Sequence, residues 1–165
     1  MLDSKYSAEL KAKKIIIVKG AHGGVCKARN LGLKAASKEW IAYIDTDNTI
    51  SPNFLASYVQ MIKANPAARS FYSKAHVVGS KRCIGRNFDL DELIKQNFID
   101  MGTYVHHKSL IDELGGFDEN MTRLVDWELI VRQSTVCTPV FIDIPLLEYC
   151  DDNAADRITI TVKLD

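Results

Sequence analysis

An α/β fold is the class this chain predicts, and three observations point to it. Two short apolar runs, Lys14-Ile15-Ile16-Ile17-Val18 and Trp40-Ile41-Ala42-Tyr43-Ile44, have the character of strands buried on both faces. Segments with helical spacing of apolar residues follow each run, so strands and helices alternate. The 165 residues, 47% hydrophobic and 25% charged, suit one domain with an ordinary core.

The elements follow in order. Ser4–Ala12 predicts a helix with Tyr6 and Leu10 on one face. After the strand at Lys14–Val18, His22-Gly23-Gly24 breaks the chain, and Val25–Ala36 places Ala28, Leu31 and Ala35 at helical spacing. Trp40–Ile44 is the second strand. Ser51-Pro52 is a helix start, with Ser as N-cap and Pro at the first helical position. Phe54, Leu55, Tyr58, Val59 and Ile62 then form one apolar stripe up to Asn65-Pro66. Arg69–Tyr72 and His76–Val78 predict short strands, while residues 80–96 carry no clear pattern. Gly102–His107 predicts a strand, and Lys108–Leu114 a short helix stopped by Gly115-Gly116. Thr122–Arg132 is an amphipathic helix. Pro139–Ile144 and Leu146–Tyr149 predict late strands, and Ile158–Val162 alternates as a last one.

Composition narrows the function. Lys+Arg and Asp+Glu balance at 21 each, leaving no global field to attract nucleic acid or an anionic membrane. No apolar run approaches the ~20 residues of a membrane span. Cys26, Cys83, Cys137 and Cys150 are scattered without a CxxC pair. With no secretory h-region in the first residues, they read as reduced thiols of a cytoplasmic protein, not as a zinc site.

The chemistry centres on Asp45-Thr46-Asp47, where an apolar strand runs into two carboxylates. Positions i and i+2 of an extended chain project to one side. Asp45 and Asp47 can therefore converge at a strand end, where α/β proteins hold ligands and a hydrated divalent cation finds oxygen donors. Asp also ends strands and caps helices, so a structural use stays open. His106 and His107 are adjacent on a strand and point to opposite faces, which excludes them as joint ligands of one ion.

Three blocks line up in a recognisable order: Gly24 to Leu33 with Ala28-Arg29-Asn30; Asp45-Thr46-Asp47 followed by Ser51-Pro52-Asn53-Phe54-Leu55; and Gly115-Gly116-Phe117-Asp118-Glu119, then Asp126-Trp127-Glu128-Leu129 and Arg132. Together they resemble the family 2 glycosyltransferases, inverting enzymes of the GT-A fold, over about Lys14 to Asn153. The resemblance implies a GT-A-like, Rossmann-related mixed sheet flanked by helices. It also implies a nucleotide-diphosphate sugar donor and an acceptor hydroxyl on a glycan, lipid or protein.

Inverting transfer is one displacement at the anomeric carbon, needing a base for the acceptor and a counter-charge for the departing diphosphate. By the resemblance Asp126 is that base, Asp45 contacts the nucleotide, and Asp47 with Asp45 holds Mg²⁺ or Mn²⁺. Arg29, Asn30, Gly116 and Trp127 then line the nucleotide-sugar site. Simpler roles stand beside these: Arg29 as a surface residue, Asn30 as part of a helix, Gly115-Gly116 as a C-cap, Trp127 as a packed aromatic. Asp126 at a helix head is stabilised by the macrodipole, which weakens it as a base unless desolvation restores its basicity.

Two departures qualify the resemblance. Members usually place a strand, a helix and a second strand with an acidic turn before the segment matching Lys14–Val18, and here only Met1–Lys13 precedes it. The chain thus reads as a single partial domain over 1–165: a helical segment at 1–13, a core at 14–152 and a strand or tail at 153–165. Weak donor binding is expected, and an exposed sheet edge that invites a homo-oligomer or a completing subunit. At the metal, Asn48 stands where many members have a third Asp, and no His follows Tyr149, leaving Asp152 as a substitute oxygen ligand. Val125 replaces the usual Glu before the base. Two other readings remain: a non-catalytic remnant that binds a partner or sugar, and a haloacid-dehalogenase-like phosphatase. In the latter Asp45 is the nucleophile, Asp47 the acid/base, and Asp151, Asp152 and Asp156 are later acids.

Overall fold

A computed structural model describes Ala8, Lys11, Ala12 and residues 15–150. The elements are α1 (Gly24–Ala35), β1 (Trp40–Ala42), β2 (Thr49–Ile50), α2 (Phe54–Ala64), β3 (Ser70–Val77), β4 (Cys83–Ile84), α3 (Leu90–Lys95), a 3₁₀ turn (Met101–Thr103), β5 (Tyr104–His107), α4 (Ser109–Leu114), α5 (Val125–Ser134) and β6 (Val140–Tyr149). The strands form one mixed sheet in the order β1-β5-β3-β6-β2, with β4 also paired to β3. Among the described residues only the β3–β6 pair is parallel.

Alternation along the central strands sends neighbouring side chains to opposite faces. Tyr72 and Tyr104 pack with Leu93, Leu129 and Ile130 on one face, under α1, α3 and α5. Phe71 and Val105 pack with Phe54, Tyr58 and Leu146 on the other, under α2. The sheet is therefore covered on both sides, as the α/β prediction requires. Pro145 lies within β6, and the register slips beside it, from Ser73↔Ile142 to Lys74↔Pro145. A bulge accommodates the missing N–H, so the two expected late strands are one bent strand.

Several expectations need correction. Lys14–Val18 is not a buried strand: no strand is assigned at Ile15–Val18, and these side chains are 37–64% exposed. The sheet edges among the described residues are β1 and β2, and no described strand pairs with the run. The second strand ends at Ala42 and only Ile41 in it is buried, because β1 is an edge strand with one partner, β5. Helix α1 forms where expected but rotated: Cys26 and Leu33 are buried, while Ala28 and Ala35 face solvent. The i, i+3, i+4, i+7 face of Cys26, Arg29, Asn30 and Leu33 is the one turned inward. Helix α2 starts two residues late, at Phe54, and Ser51 Oγ accepts from the Asn53 N–H at 3.3 Å instead of capping the helix. Its stripe is only half used, since Phe54 and Tyr58 are buried while Leu55 is 69% and Val59 49% exposed. β3 joins the two strands expected at 69–78, and 80–96 yields β4 and α3, the latter capped by Asp89 accepting from Glu92 N–H. The expected helix at Ser4–Ala12 lies largely outside the described residues, and the strand at Ile158–Val162 wholly so.

Two stability measurements follow. Tyr58 donates its hydroxyl to the Thr103 carbonyl inside the core, so Tyr58→Phe should cost about 1–3 kcal/mol in urea unfolding. Leu55→Lys, one helical turn away on the same nominal stripe, should change stability by less than about 0.5 kcal/mol.

Asp100 heads the 3₁₀ turn and accepts from the Gly102 N–H at 2.8 Å. Burial pushes its carboxyl up to about 6; the Gly102 N–H and Arg29 pull down, and the Asp126 and Asp45 charges push up. The folded state then holds this proton more tightly than the unfolded chain, whose Asp titrates near ~3.9. Stability should fall as pH rises from about 4 to about 6, by roughly 2–3 kcal/mol. Asp100→Asn keeps the acceptor and should flatten that decline; an unchanged pH profile would remove Asp100 as its source.

Candidate active site

The end of β1 and the first turn of α5 come together beside α1. After Ala42 the chain leaves the strand, passes Tyr43, Ile44 and Asp45 and turns at Thr46-Asp47, with the Asn48 N–H donating to the Asp45 carbonyl at 3.2 Å. Arg29, on the inward face of α1, spans two acids. One Nη donates to Asp126 Oδ1, and the other donates to Asp45 Oδ1 at 3.3 Å. Arg29 is nearly buried, its side chain 12% exposed, against 51% for Asp45 and 34% for Asp126.

Aromatic rings hold the guanidinium in place. Its carbon lies 5.2 Å from the Phe117 ring centre and 6.0 Å from that of Tyr43, within cation–π range. Tyr43 stacks on His106 at 5.7 Å, and the Tyr43 hydroxyl lies 2.9 Å from His106 Nε2. Burial pushes the His106 imidazole down to about 4, so it is neutral at physiological pH. Its Nδ1–H donates to the His107 carbonyl at 3.1 Å, which leaves Nε2 to accept from Tyr43. His107 instead pairs with Ser109 Oγ at 2.8 Å and packs edge-on to Trp40. The two histidines are thus structural and separate.

Asp126 sits in the first turn of α5, which the chain enters through Leu124 in the left-handed conformation, φ 59°. Burial raises the Asp126 carboxyl above the usual range; Arg29 opposes that rise, and the charge of Asp45 adds to it. Desolvation therefore outweighs the guanidinium, and a carboxylate so raised is a better proton acceptor than a solvated one.

The Gly-Gly turn forms the adjoining wall. Gly115 caps α4 at φ 86°, a conformation that favours glycine. A Cβ on Gly116 would lie 2.4 Å from Asn30 Oδ1. Asn30 needs that space: its Oδ1 accepts from the Phe117 N–H at 2.9 Å, and its Nδ2 donates to the Phe117 carbonyl at 2.9 Å and to Glu119 at 3.0 Å. Arg132 reaches over from α5 and donates to the carbonyls of Leu114, Gly115 and Gly116 at 2.7, 3.1 and 2.8 Å.

The structure thus brings Arg29, Asp45 and Asp126 together and sets Asn30 and Gly116 beside them as scaffold. Trp127 is half-buried, its indole N–H donating to the Leu93 carbonyl at 2.7 Å, which ties α5 to α3. Asp47 lies exposed on the turn. Sequence reasoning missed Tyr43 and Phe117 as the walls around Arg29, His106 as the support of Tyr43, and Arg132 as the clamp. For Arg132 the Glu128–Arg132 spacing was the available signal, and that i, i+4 ion pair is present at 2.6 Å. A cavity of about 500 Å³ runs from Arg29 and Asp45 along the outer edge of β1 past Leu33, Trp40 and Ile41.

Among the described residues no group of three His, Cys, Asp or Glu could hold a metal ion. Asp45 and Asp47 offer two carboxylates on an open turn. That donor set fits a hard cation that takes its other ligands from phosphate and water, not a closed protein cage. Asp152 lies outside the described residues.

Comparisons with known proteins bear on the fold and the family. The profile of Glycosyl transferase family 2 matches residues 4–110. "Uncharacterized protein y4gI" of Sinorhizobium fredii (strain NBRC 101917 / NGR234) is 28% identical over 123 residues, covering 71% of this chain and 13% of that protein. A crystal structure of S. aureus TarS superposes with a TM-score of 0.70 at 17% identity, over 90% of this chain and 28% of TarS. A second, of TarS 1-349, gives 0.63 at 16% identity over 90% and 48%. These likenesses show a shared GT-A fold, and the chain spans a minor part of each relative's length. By its profile match over most of its length, together with that fold, the chain belongs to glycosyl transferase family 2.

Proposed function

We propose that this domain transfers a sugar from a nucleotide-diphosphate sugar to an acceptor hydroxyl with inversion at the anomeric carbon. The carrying observation is the convergence of Asp45, beyond β1, and Asp126, heading α5, on one guanidinium, which with Asp45 lines a cavity. Chain segments more than 80 residues apart meet there, Arg29 and Asp126 being 97 positions apart.

In this reading Asp126 accepts the proton of the acceptor hydroxyl, its affinity for that proton raised by burial. Arg29 meets the charge on the diphosphate as the glycosidic bond breaks. Asp47 and Asp45 would hold Mg²⁺ or Mn²⁺, which when bound neutralises the leaving diphosphate. The Gly115-Gly116 turn, held by Asn30 and Arg132, is the rigid backbone beside the sugar. The four free cysteines suit a reducing compartment, and cytoplasmic location belongs to this proposal. Among the described residues no helix is long and apolar enough to cross a membrane. The acceptor is a glycan, lipid or protein hydroxyl. A completing subunit or second copy at the β1 edge is part of the same proposal. Membership of glycosyl transferase family 2 argues against the phosphatase reading; Asp151, Asp152 and Asp156 lie outside the described residues.

Calorimetry of the chain with UDP should show binding that requires Mn²⁺; binding indifferent to the metal would contradict the donor site. In an active protein carrying this domain, Asp126→Asn should lower kcat by about 10²-fold or more without weakening donor binding. Retained turnover in that variant would remove Asp126 from the role of base.

A further inference from the structure

We infer that Arg29 couples donor arrival to release of the base: its guanidinium holds Asp126 until a diphosphate seated beside Asp45 draws it away and uncovers the carboxylate. This rests on the reading of Asp45 as donor contact and Asp126 as base.

Three observations carry it. First, Arg29 divides its two terminal nitrogens between the acids, one to Asp126 and one to Asp45 at 3.3 Å, and forms no two-pronged pair with either. A guanidinium in this state has a better partner available, since a diphosphate presents paired oxygens and more charge than one carboxylate. Second, the backbone that carries Arg29 is fixed. Cys26 and Leu33 bury the same face of α1, and Asn30, the next residue, is locked to both backbone groups of Phe117. Any transfer is thus a side-chain swing, and the Phe117 and Tyr43 rings line its path on the protein side. Third, Asp45 is half exposed while Asp126 is the more sheltered acid. An anion entering from solvent meets the Asp45 end of the guanidinium first. Asp126 bound to a cation is a weaker base than the same group released, so the exchange raises its basicity once a donor is in place.

The consequence is a competition, and competition is reciprocal. If the diphosphate must take Arg29 from Asp126, removing the Asp126 charge tightens diphosphate binding, and only while Arg29 is present. The probe is inorganic pyrophosphate with Mg²⁺, titrated into the 165-residue chain and followed by amide NMR shifts. Four proteins are compared: wild type, Asp126→Asn, Arg29→Gln and the double variant. Asp126→Asn should bind about fivefold or more tightly than wild type, and the gain should fall below about twofold in the Arg29→Gln background. An equal gain in both backgrounds would mean simple relief of charge repulsion and would overturn the coupling while leaving the donor site intact. Weaker binding by Asp126→Asn would also overturn it. Absence of pyrophosphate binding in both wild type and Asp126→Asn would overturn the donor-site reading and the coupling with it. Should Arg29→Gln lose its amide dispersion, Arg29→Lys takes its place. A point charge does not span both acids, so the gain should shrink at least twofold relative to wild type, and an undiminished gain counts against the coupling.

Discussion

A single guanidinium joins the parts of this molecule that matter for its chemistry. Arg29 projects from the inward face of α1 and pairs with an acid beyond the edge strand and another at the head of α5. Its carbon rests against Phe117, the first residue after the Gly-Gly turn. Three blocks spread over about a hundred residues of sequence are thereby gathered at one point. The gathering depends on the rotation of α1, because a helix burying Ala28 and Ala35 would have turned Arg29 toward solvent.

Removing a guanidinium from water is costly unless its donors are met. Here two carboxylates and two aromatic rings meet it, and the residues around it are fixed in turn. Arg132 grips the Gly-Gly turn and Asn30 both backbone groups of Phe117, which fixes that ring's position. His106, neutral in the core, accepts from Tyr43 and holds that ring. The left-handed Leu124 is a local strain of the sort found where a site demands a particular geometry. It sets the entry into α5 and hence the direction of Asp126.

Much of the fold was legible in the sequence, for identifiable reasons. Helices α1 and α5 carried helical spacing and α4 a glycine stop, and Gly115 does cap α4. Convergence of Asp45 and Asp126 was legible only through the order of the motif blocks, since nothing local to either acid names the other. The errors about burial share one physical source. A β-branched run such as Ile15–Val18 reports a preference for strand, but burial depends on a neighbour, and among the described residues no strand pairs with it. The same holds for Leu55 and Val59, whose spacing fits a stripe that α2 only half covers. Tyr43, His106 and Phe117 were invisible as a set because aromatic contacts across a sheet leave no spacing signature.

The bridge itself is the quantity to measure. Urea unfolding of wild type, Arg29→Gln, Asp126→Asn and the double variant isolates the free energy between the two side chains. A favourable coupling of about 1 kcal/mol or more is the result expected of a sheltered pair. Additive effects, with a coupling near zero, would show that Arg29 and Asp126 do not hold each other, and the site would have no organising centre.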